Sequence, residues 1–140
     1  MNRPGTIMTP EPHELEAQGK SAFANKKFDE AAQSFRQAAE GYTLGRAGLM
    51  AAEMMNNASV ALLQAGKPQE SLEAALGTDK IFEGAGDIKR QAMALGNIAA
   101  ALEGLNRYDE AVETYELSAE LFRQVHEGDL RAMVMKSAAA

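Results

Sequence analysis

Cysteine and tryptophan are absent from this 140-residue chain, and aromatic side chains make up only 6% of it. Without cysteine there is no disulfide framework, no thiol nucleophile and no thiolate zinc site, and the composition suits a reducing cytoplasm. Proline is scarce as well, since three of the four prolines lie at positions 4, 10 and 12 and only Pro68 falls within the body of the chain. About a fifth of the residues are alanine, the best helix former, so we predict an all-α protein.

Long apolar runs and an excess of basic residues are also missing. No apolar run approaches the roughly 18 residues that a membrane-spanning helix needs, and residues 1–12 lack the charged-then-apolar order of a secretory signal. The formal net charge of −6 opposes non-specific binding to nucleic acid, which depends on lysine and arginine to neutralise phosphates. We therefore expect a cytoplasmic protein that engages neither membranes nor nucleic acid.

Short sequence patterns recur along the chain at one fixed interval. Residues 28–31 (FDEA) are similar to residues 68–71 (PQES) and to residues 108–111 (YDEA). The same interval relates three sets of large or apolar positions and one pair of asparagines: Tyr42, Phe82 and Phe122; Phe35, Ala75 and Tyr115; Ala22, Leu62 and Leu102; and Asn57 with Asn97. These matches lie in register over three units, which indicates a tandem array.

Each unit is predicted to contain two helices, because apolar residues recur at helical spacing on either side of a short turn. Gly66 followed by Pro68 is typical of one helix ending and the next beginning, and Asp87 is suited to cap the helix that follows it. The predicted organisation is a flexible segment over residues 1–11 and a single domain over residues 12–140, with repeats at about 12–45, 46–86 and 87–128 and a terminal helix over 129–140.

Small residues lie where paired helices must approach closely, and aromatic residues such as Phe35 and Tyr115 are expected to fill the gaps between them. The small residues occupy two repeat positions: Gly19, Ser59 and Ala99 at one, and Ala31, Ser71 and Ala111 at the other.

This pattern resembles the tetratricopeptide repeat (TPR) family, whose unit is a helical hairpin of about 34 residues. The second unit matches least well, because Pro68 and Ala75 stand where the other units have large residues. The period here is longer, at about 40 residues, and is similar to the longer repeat variant of many bacterial regulators. The resemblance implies a right-handed α-α superhelix of three hairpins plus a C-terminal capping helix, with the first helix of each hairpin lining a concave groove.

The resemblance also implies a function, namely a non-catalytic protein–protein interaction scaffold that binds a peptide segment of a partner in this groove. An asparagine amide both donates and accepts, so Asn57 and Asn97 are candidates to hold a peptide backbone; the alternative is that they are exposed polar residues or ties between helices. The residues implied to line the groove are Glu16, Lys20, Phe23, Glu53, Asn56, Asn57, Val60, Leu63, Met93, Asn97 and Glu103.

Chaperone-binding members of the family hold a C-terminal carboxylate with a clamp of basic and amide residues. Of the five positions that such a clamp would use, only Asn57 carries the expected residue, whereas Glu16 and Met93 replace basic residues. Without paired cations a carboxylate would be poorly stabilised, so we do not expect chaperone tails to bind.

Nothing in the sequence indicates catalysis, a metal or a cofactor. No nucleophile–base pair or phosphate-binding loop is recognisable, and the two histidines, His13 and His126, lie at opposite ends of the array. Two further hypotheses remain open. One is a self-assembling module that forms homo-oligomers through its repeat ends. The other is a regulatory fragment of a larger signalling protein, since the chain ends where the first helix of a fourth unit would be only half complete.

Overall fold

The computed structural model describes residues 10–125, and α-helices are the regular elements of this range. The all-α prediction is confirmed. The predicted flexible segment falls largely outside the described residues, and the predicted terminal helix over residues 129–140 lies wholly outside them. The helices are α1 (Pro12–Ala24), α2 (Phe28–Leu44), α3 (Gly48–Gln64), α4 (Pro68–Ala75), α5 (Thr78–Gly84), α6 (Ile88–Gly104) and α7 (Tyr108–Gln124).

Consecutive helices pack as antiparallel hairpins that stack side by side. Helix α1 packs on α2, α3 packs on α4, and α6 packs on α7. Neighbouring hairpins contact each other through α2 against α3 and through α4 and α5 against α6. This is the arrangement of a helical-hairpin repeat, and the predicted fold class is confirmed in this respect.

The same turn closes five of these helices, at equal intervals along the chain. In each turn one residue has a positive φ, and the next backbone N–H donates to the carbonyl five residues earlier, at 2.7–2.9 Å. This is the 6→1 hydrogen bond of the Schellman motif, which satisfies a free carbonyl at the helix end. The positive-φ residues are Lys26, Arg46, Gly66, Gly86 and Asn106. These residues are 20 positions apart, and every second turn separates one hairpin from the next. The turns therefore account for the 40-residue period of the sequence.

Small side chains allow the close helix contacts that the sequence predicts. A Cβ atom on Gly19 would lie 2.7 Å from the Cε1 atom of Phe35, so the aromatic ring of α2 packs directly on the backbone of α1. In the second hairpin the buried hydroxyls of Ser59 and Ser71 donate to each other's backbone carbonyls, at 2.9 and 2.7 Å. In the third, Ala99 and Ala111 are buried at the corresponding positions.

The second unit departs from the expected two helices, because the helix that begins at Pro68 breaks after Ala75. Leu76 adopts an extended conformation with ψ of 129°, and Gly77 has φ of 87°. The hydroxyl of Thr78 then donates to the carbonyl of Ala75 at 2.7 Å and closes the break. The second helices of the other two hairpins, α2 and α7, are 17 residues long, whereas α4 and α5 have eight and seven.

The left-handed conformation of Gly77 predicts a cost for any side chain there. Nothing lies within 4 Å of a Cβ atom on Gly77, so backbone strain alone should make Gly77→Ala lower the free energy of unfolding by about 1–2 kcal/mol. Gly84, in α5, has equally open surroundings but no positive φ. The matched variant Gly84→Ala should therefore leave stability unchanged or raise it by up to about 1 kcal/mol. Urea unfolding measures the stability of both variants. Equal stabilities of Gly77→Ala and Gly84→Ala would contradict the left-handed conformation of Gly77 at the helix break.

Candidate functional site

The first helices of the three hairpins, α1, α3 and α6, form a continuous surface that we call the first-helix face. Between α3 and α6, Asn97 Nδ2 donates to Asn56 Oδ1 at 2.8 Å, and Arg90 approaches Glu53 at 3.4 Å. Between α1 and α3 the surface sinks into a depression. The predicted groove residues therefore lie on adjacent helices.

Two of the predicted asparagines form a tie between helices. Asn56 is only 9% exposed, and its Nδ2 atom donates to the carbonyl of Ala52 at 3.1 Å. Its Oδ1 atom accepts the hydrogen bond from Asn97. One hydrogen bond thus joins Asn56 and Asn97, and for Asn97 this is the alternative interpretation as a tie between helices.

The side chain of Asn57, unlike those of Asn56 and Asn97, has no hydrogen-bond partner within the described residues. Asn57 is half-buried at the edge of the depression. A primary amide offers two donor hydrogens and an oxygen acceptor. The Asn57 amide therefore has its hydrogen-bonding capacity available to a bound segment.

Because Asn97 is hydrogen-bonded and Asn57 is not, alanine at these two positions should change the stability of the protein by different amounts. Asn97→Ala leaves the buried Oδ1 atom of Asn56 without its donor, so the free energy of unfolding should fall by about 1–2 kcal/mol. Asn57→Ala removes no hydrogen bond within the described residues and should change stability by less than about 0.5 kcal/mol. Urea unfolding of the two variants checks this difference, and the reverse order would contradict the tie between Asn56 and Asn97.

The depression between α1 and α3 has a volume of about 260 Å³ and is lined by Lys20, Phe23, Phe35, Asn57 and Val60. Phe35 is buried in its floor, while Val60 is 36% exposed. Its volume is below the range of roughly 300–1,000 Å³ that is typical of small-molecule pockets, so it suits a single large side chain better than a cofactor. Four of these five lining residues are predicted groove residues. The fifth is Phe35, which the sequence pattern predicts to fill a gap between paired helices.

Two charged residues of α1, Glu16 and Lys20, are paired with each other. Lys20 Nζ lies 2.8 Å from Glu16 Oε2, and the hydroxyl of Tyr42 donates to Glu16 Oε1 at 2.9 Å. The hydrogen bond from Lys20 lowers the pKa of the Glu16 carboxyl, and the same bond raises the pKa of Lys20. The carboxylate of Glu16 is thus held ionised beside the cation of the depression.

The charges between α3 and α6 are paired in a similar way. Arg90 reaches Asp87 at 2.9 Å and Glu53 at 3.4 Å. The hydrogen bond from the backbone N–H of Arg90 to Asp87 lowers the pKa of that carboxyl and caps α6, as the sequence predicts. Because Lys20 and Arg90 already have carboxylate partners, they do not form a pair of free cations that could bind a terminal carboxylate.

The remaining predicted residues lie away from the depression. Met93 is 51% exposed on α6. Glu103 accepts a hydrogen bond from the hydroxyl of Tyr115 at 2.9 Å and so contacts α7. Leu63 is half-buried near Gly104, at 3.2 Å from the position of a Cβ atom there.

A larger cavity, which the sequence pattern does not predict, lies on the other side of α3. It has a volume of about 940 Å³ and is bordered by α2, α4 and α5, with α3 as its floor. The one signal in the sequence was the glycine after Leu76, since a glycine inside a helical pattern weakens the case for a continuous helix.

Metal-binding and membrane-spanning features are absent from residues 10–125. No group of three or more histidine, aspartate or glutamate side chains in this range is placed to hold a metal ion. No helix of the described part combines the length and hydrophobicity needed to cross a membrane.

The family model for the soluble NSF attachment protein, SNAP, matches residues 15–140. This is a family of TPR-like helical repeats, so the resemblance seen in the sequence is compatible with it at the level of the repeat. No curated protein gives a significant match to the chain.

Proposed function

We propose that this chain, which belongs to the soluble NSF attachment protein family, is a non-catalytic scaffold. It holds an extended peptide segment of a partner on its first-helix face. Proteins of this family bind protein partners in general and are generally not enzymes. The observation that carries the proposal is the half-buried amide of Asn57, which has no hydrogen-bond partner within residues 10–125 and lies at the edge of an apolar depression.

In this proposal the segment crosses α1 and α3 and places one large apolar side chain between Phe23 and Val60. The Asn57 amide donates to a backbone carbonyl of the segment and accepts from a backbone N–H. These two hydrogen bonds do not depend on the side chains of the segment. Lys20 stays paired with Glu16, so recognition depends on the apolar side chain and the backbone more than on charge.

The proposal includes the long type of TPR unit and a cytoplasmic location. The recurrence of one turn geometry at equal intervals, two turns to each repeat, supports the long unit. The absence of cysteine supports a reducing compartment.

Selection from a phage library of random dodecapeptides on the immobilised chain tests the proposal. Enriched peptides should share one large apolar residue and should not require a free C-terminus. Asn57→Ala should weaken their binding about tenfold, because two hydrogen bonds are lost. Gln37→Ala, which removes an exposed amide from α2, should leave their binding unchanged. Failure to enrich any peptide, or equal binding to the wild type and Asn57→Ala, would contradict the proposal.

A further inference from the structure

A groove on the opposite side of α3 is independent of the first-helix face. We call it the break groove, defined as the cavity between α2 and the α4–α5 break, with α3 as its floor. Gly48, Ala51, Ala52 and Met55 contribute from α3. On a helix of 3.6 residues per turn these positions point away from Asn57 and Val60, so the two surfaces use opposite sides of α3.

The break in the second helix creates this groove. Helix α2 packs mainly on α1 and α3, and α5 packs on α3 and α6, so α2 and α5 border a space instead of filling it. The volume of about 940 Å³ lies at the top of the range for binding pockets. A space with a helix on each side and a third helix beneath it is a groove in which another helix can pack.

The surface of the groove is apolar and suited to a helix. Three of the four floor residues, Gly48, Ala51 and Ala52, are small and let a helix backbone approach closely. Its rim carries three aliphatic side chains that are unusually exposed: Leu44 at 87%, Leu76 at 58% and Ile81 at 46%. Grouped apolar side chains left in water mark interaction surfaces.

The charges of the groove lie at one end and favour a basic partner. Glu40 and Glu73 are exposed carboxylates on its two sides, and neither forms an ion pair within residues 10–125. Arg36 also lines the groove and is half-buried, which leaves these three residues with a formal charge of −1. The net charge of −6 on the whole chain adds attraction for a cation at long range.

We propose that the break groove is a second docking site, which takes an amphipathic α-helix of a partner protein. The aliphatic stripe of this helix packs against Leu44, Leu76 and Ile81, and a basic residue at one end of the stripe pairs with Glu40 and Glu73. The protein then holds two segments at once, an extended one on the first-helix face and a helical one in the break groove.

Two synthetic helical peptides with the same leucine stripe test this, one with lysines and one with glutamates beside the stripe. In fluorescence anisotropy at low salt the lysine peptide should bind the full chain and the glutamate peptide should not. Leu76→Ser should weaken binding about tenfold, since it removes an apolar contact. Leu117 on α7 is also 58% exposed, and Leu117→Ser should leave binding unchanged.

Charge reversal provides a second, independent readout. The double variant Glu40→Lys with Glu73→Lys should bind the glutamate peptide in preference to the lysine peptide. Asn57→Ala should have no effect, which separates this site from the first-helix face. Binding of neither peptide, equal binding of both, or equal loss in Leu76→Ser and Leu117→Ser would overturn the proposal. So would light scattering that shows a dimer abolished by Leu76→Ser, because a second copy would then occupy the groove.

Discussion

Replacing Phe35 with alanine is expected to lower the free energy of unfolding by about 3–5 kcal/mol. Phe35 is only 3% exposed and belongs to the main hydrophobic cluster, which also contains Leu15 and Met54. Most of the other members of this cluster are alanines, which cannot expand to fill the space of a lost ring. The substitution therefore removes a large apolar contact and leaves a cavity beneath the depression of the first-helix face.

Urea unfolding followed by circular dichroism measures this loss. Tyr108→Ala serves as the control, because Tyr108 is an aromatic residue at the start of α7 that is 58% exposed. That control should lose less than about 1 kcal/mol. An equally small loss for Phe35→Ala would show that its ring does not hold α1 and α2 together.

Gly19→Leu is expected to destabilise the protein by about 3 kcal/mol, at the upper end of the cost of overpacking a core. Even a Cβ atom at Gly19 would lie 2.7 Å from Cε1 and 2.8 Å from Cδ1 of Phe35. Because Phe35 is only 3% exposed and belongs to the core cluster, its ring can move aside only by losing its packing against that cluster. Helices α1 and α2 would have to separate at this point to admit the leucine side chain.

A double-mutant cycle checks that Gly19 and Phe35 act on each other. In the variant with both Gly19→Leu and Phe35→Ala, the leucine side chain can enter the space left by the ring. The double variant should therefore be more stable than the sum of the single losses predicts, by at least about 1 kcal/mol. Additive losses would contradict the direct contact between α1 and α2 at this point.

The hairpin array was predictable from the sequence because its determinants are local. Gly66, Pro68 and Asp87 mark helix ends through their own conformations and capping groups, and the structure places helix ends beside each of them. The alternation of small and large residues at fixed spacing likewise reflects direct contacts, such as that of Gly19 with Phe35. The small residues of this spacing recur in all three units, as Gly19, Ser59 and Ala99.

The helix break was not predictable with the same rules. Ala74 and Ala75 are strong helix formers, and a single glycine after them is tolerated in many helices. The unit that breaks is the one in which Ala75 takes the repeat position of Phe35 and Tyr115. Without a large ring at that position, the second helix loses a contact that the other units have. The break groove depends on how α4 and α5 pack against α3 and α6, which one sequence does not reveal.

The candidate site was predictable as a surface but not residue by residue. Neighbouring residues on a helix point about 100° apart, so Asn56 and Asn57 cannot both face the same partner. Only the packing of α3 against α6 shows that Asn56 bonds to Asn97 while Asn57 is left at the depression. The sequence pattern related Asn57 to Asn97 by their interval, whereas the structure gives the two amides different environments.

Amide NMR spectra of the isotope-labelled chain, recorded while a selected dodecapeptide is added, test the central claim most directly. If the first-helix face holds the segment, the shifts that change most should belong to α1 and α3 around Lys20, Asn57 and Val60. Those of α7 should stay unchanged, as should those around Leu44 and Ile81 at the break groove. Changes confined to α2, α5 or α7, with none around Asn57, would contradict the account.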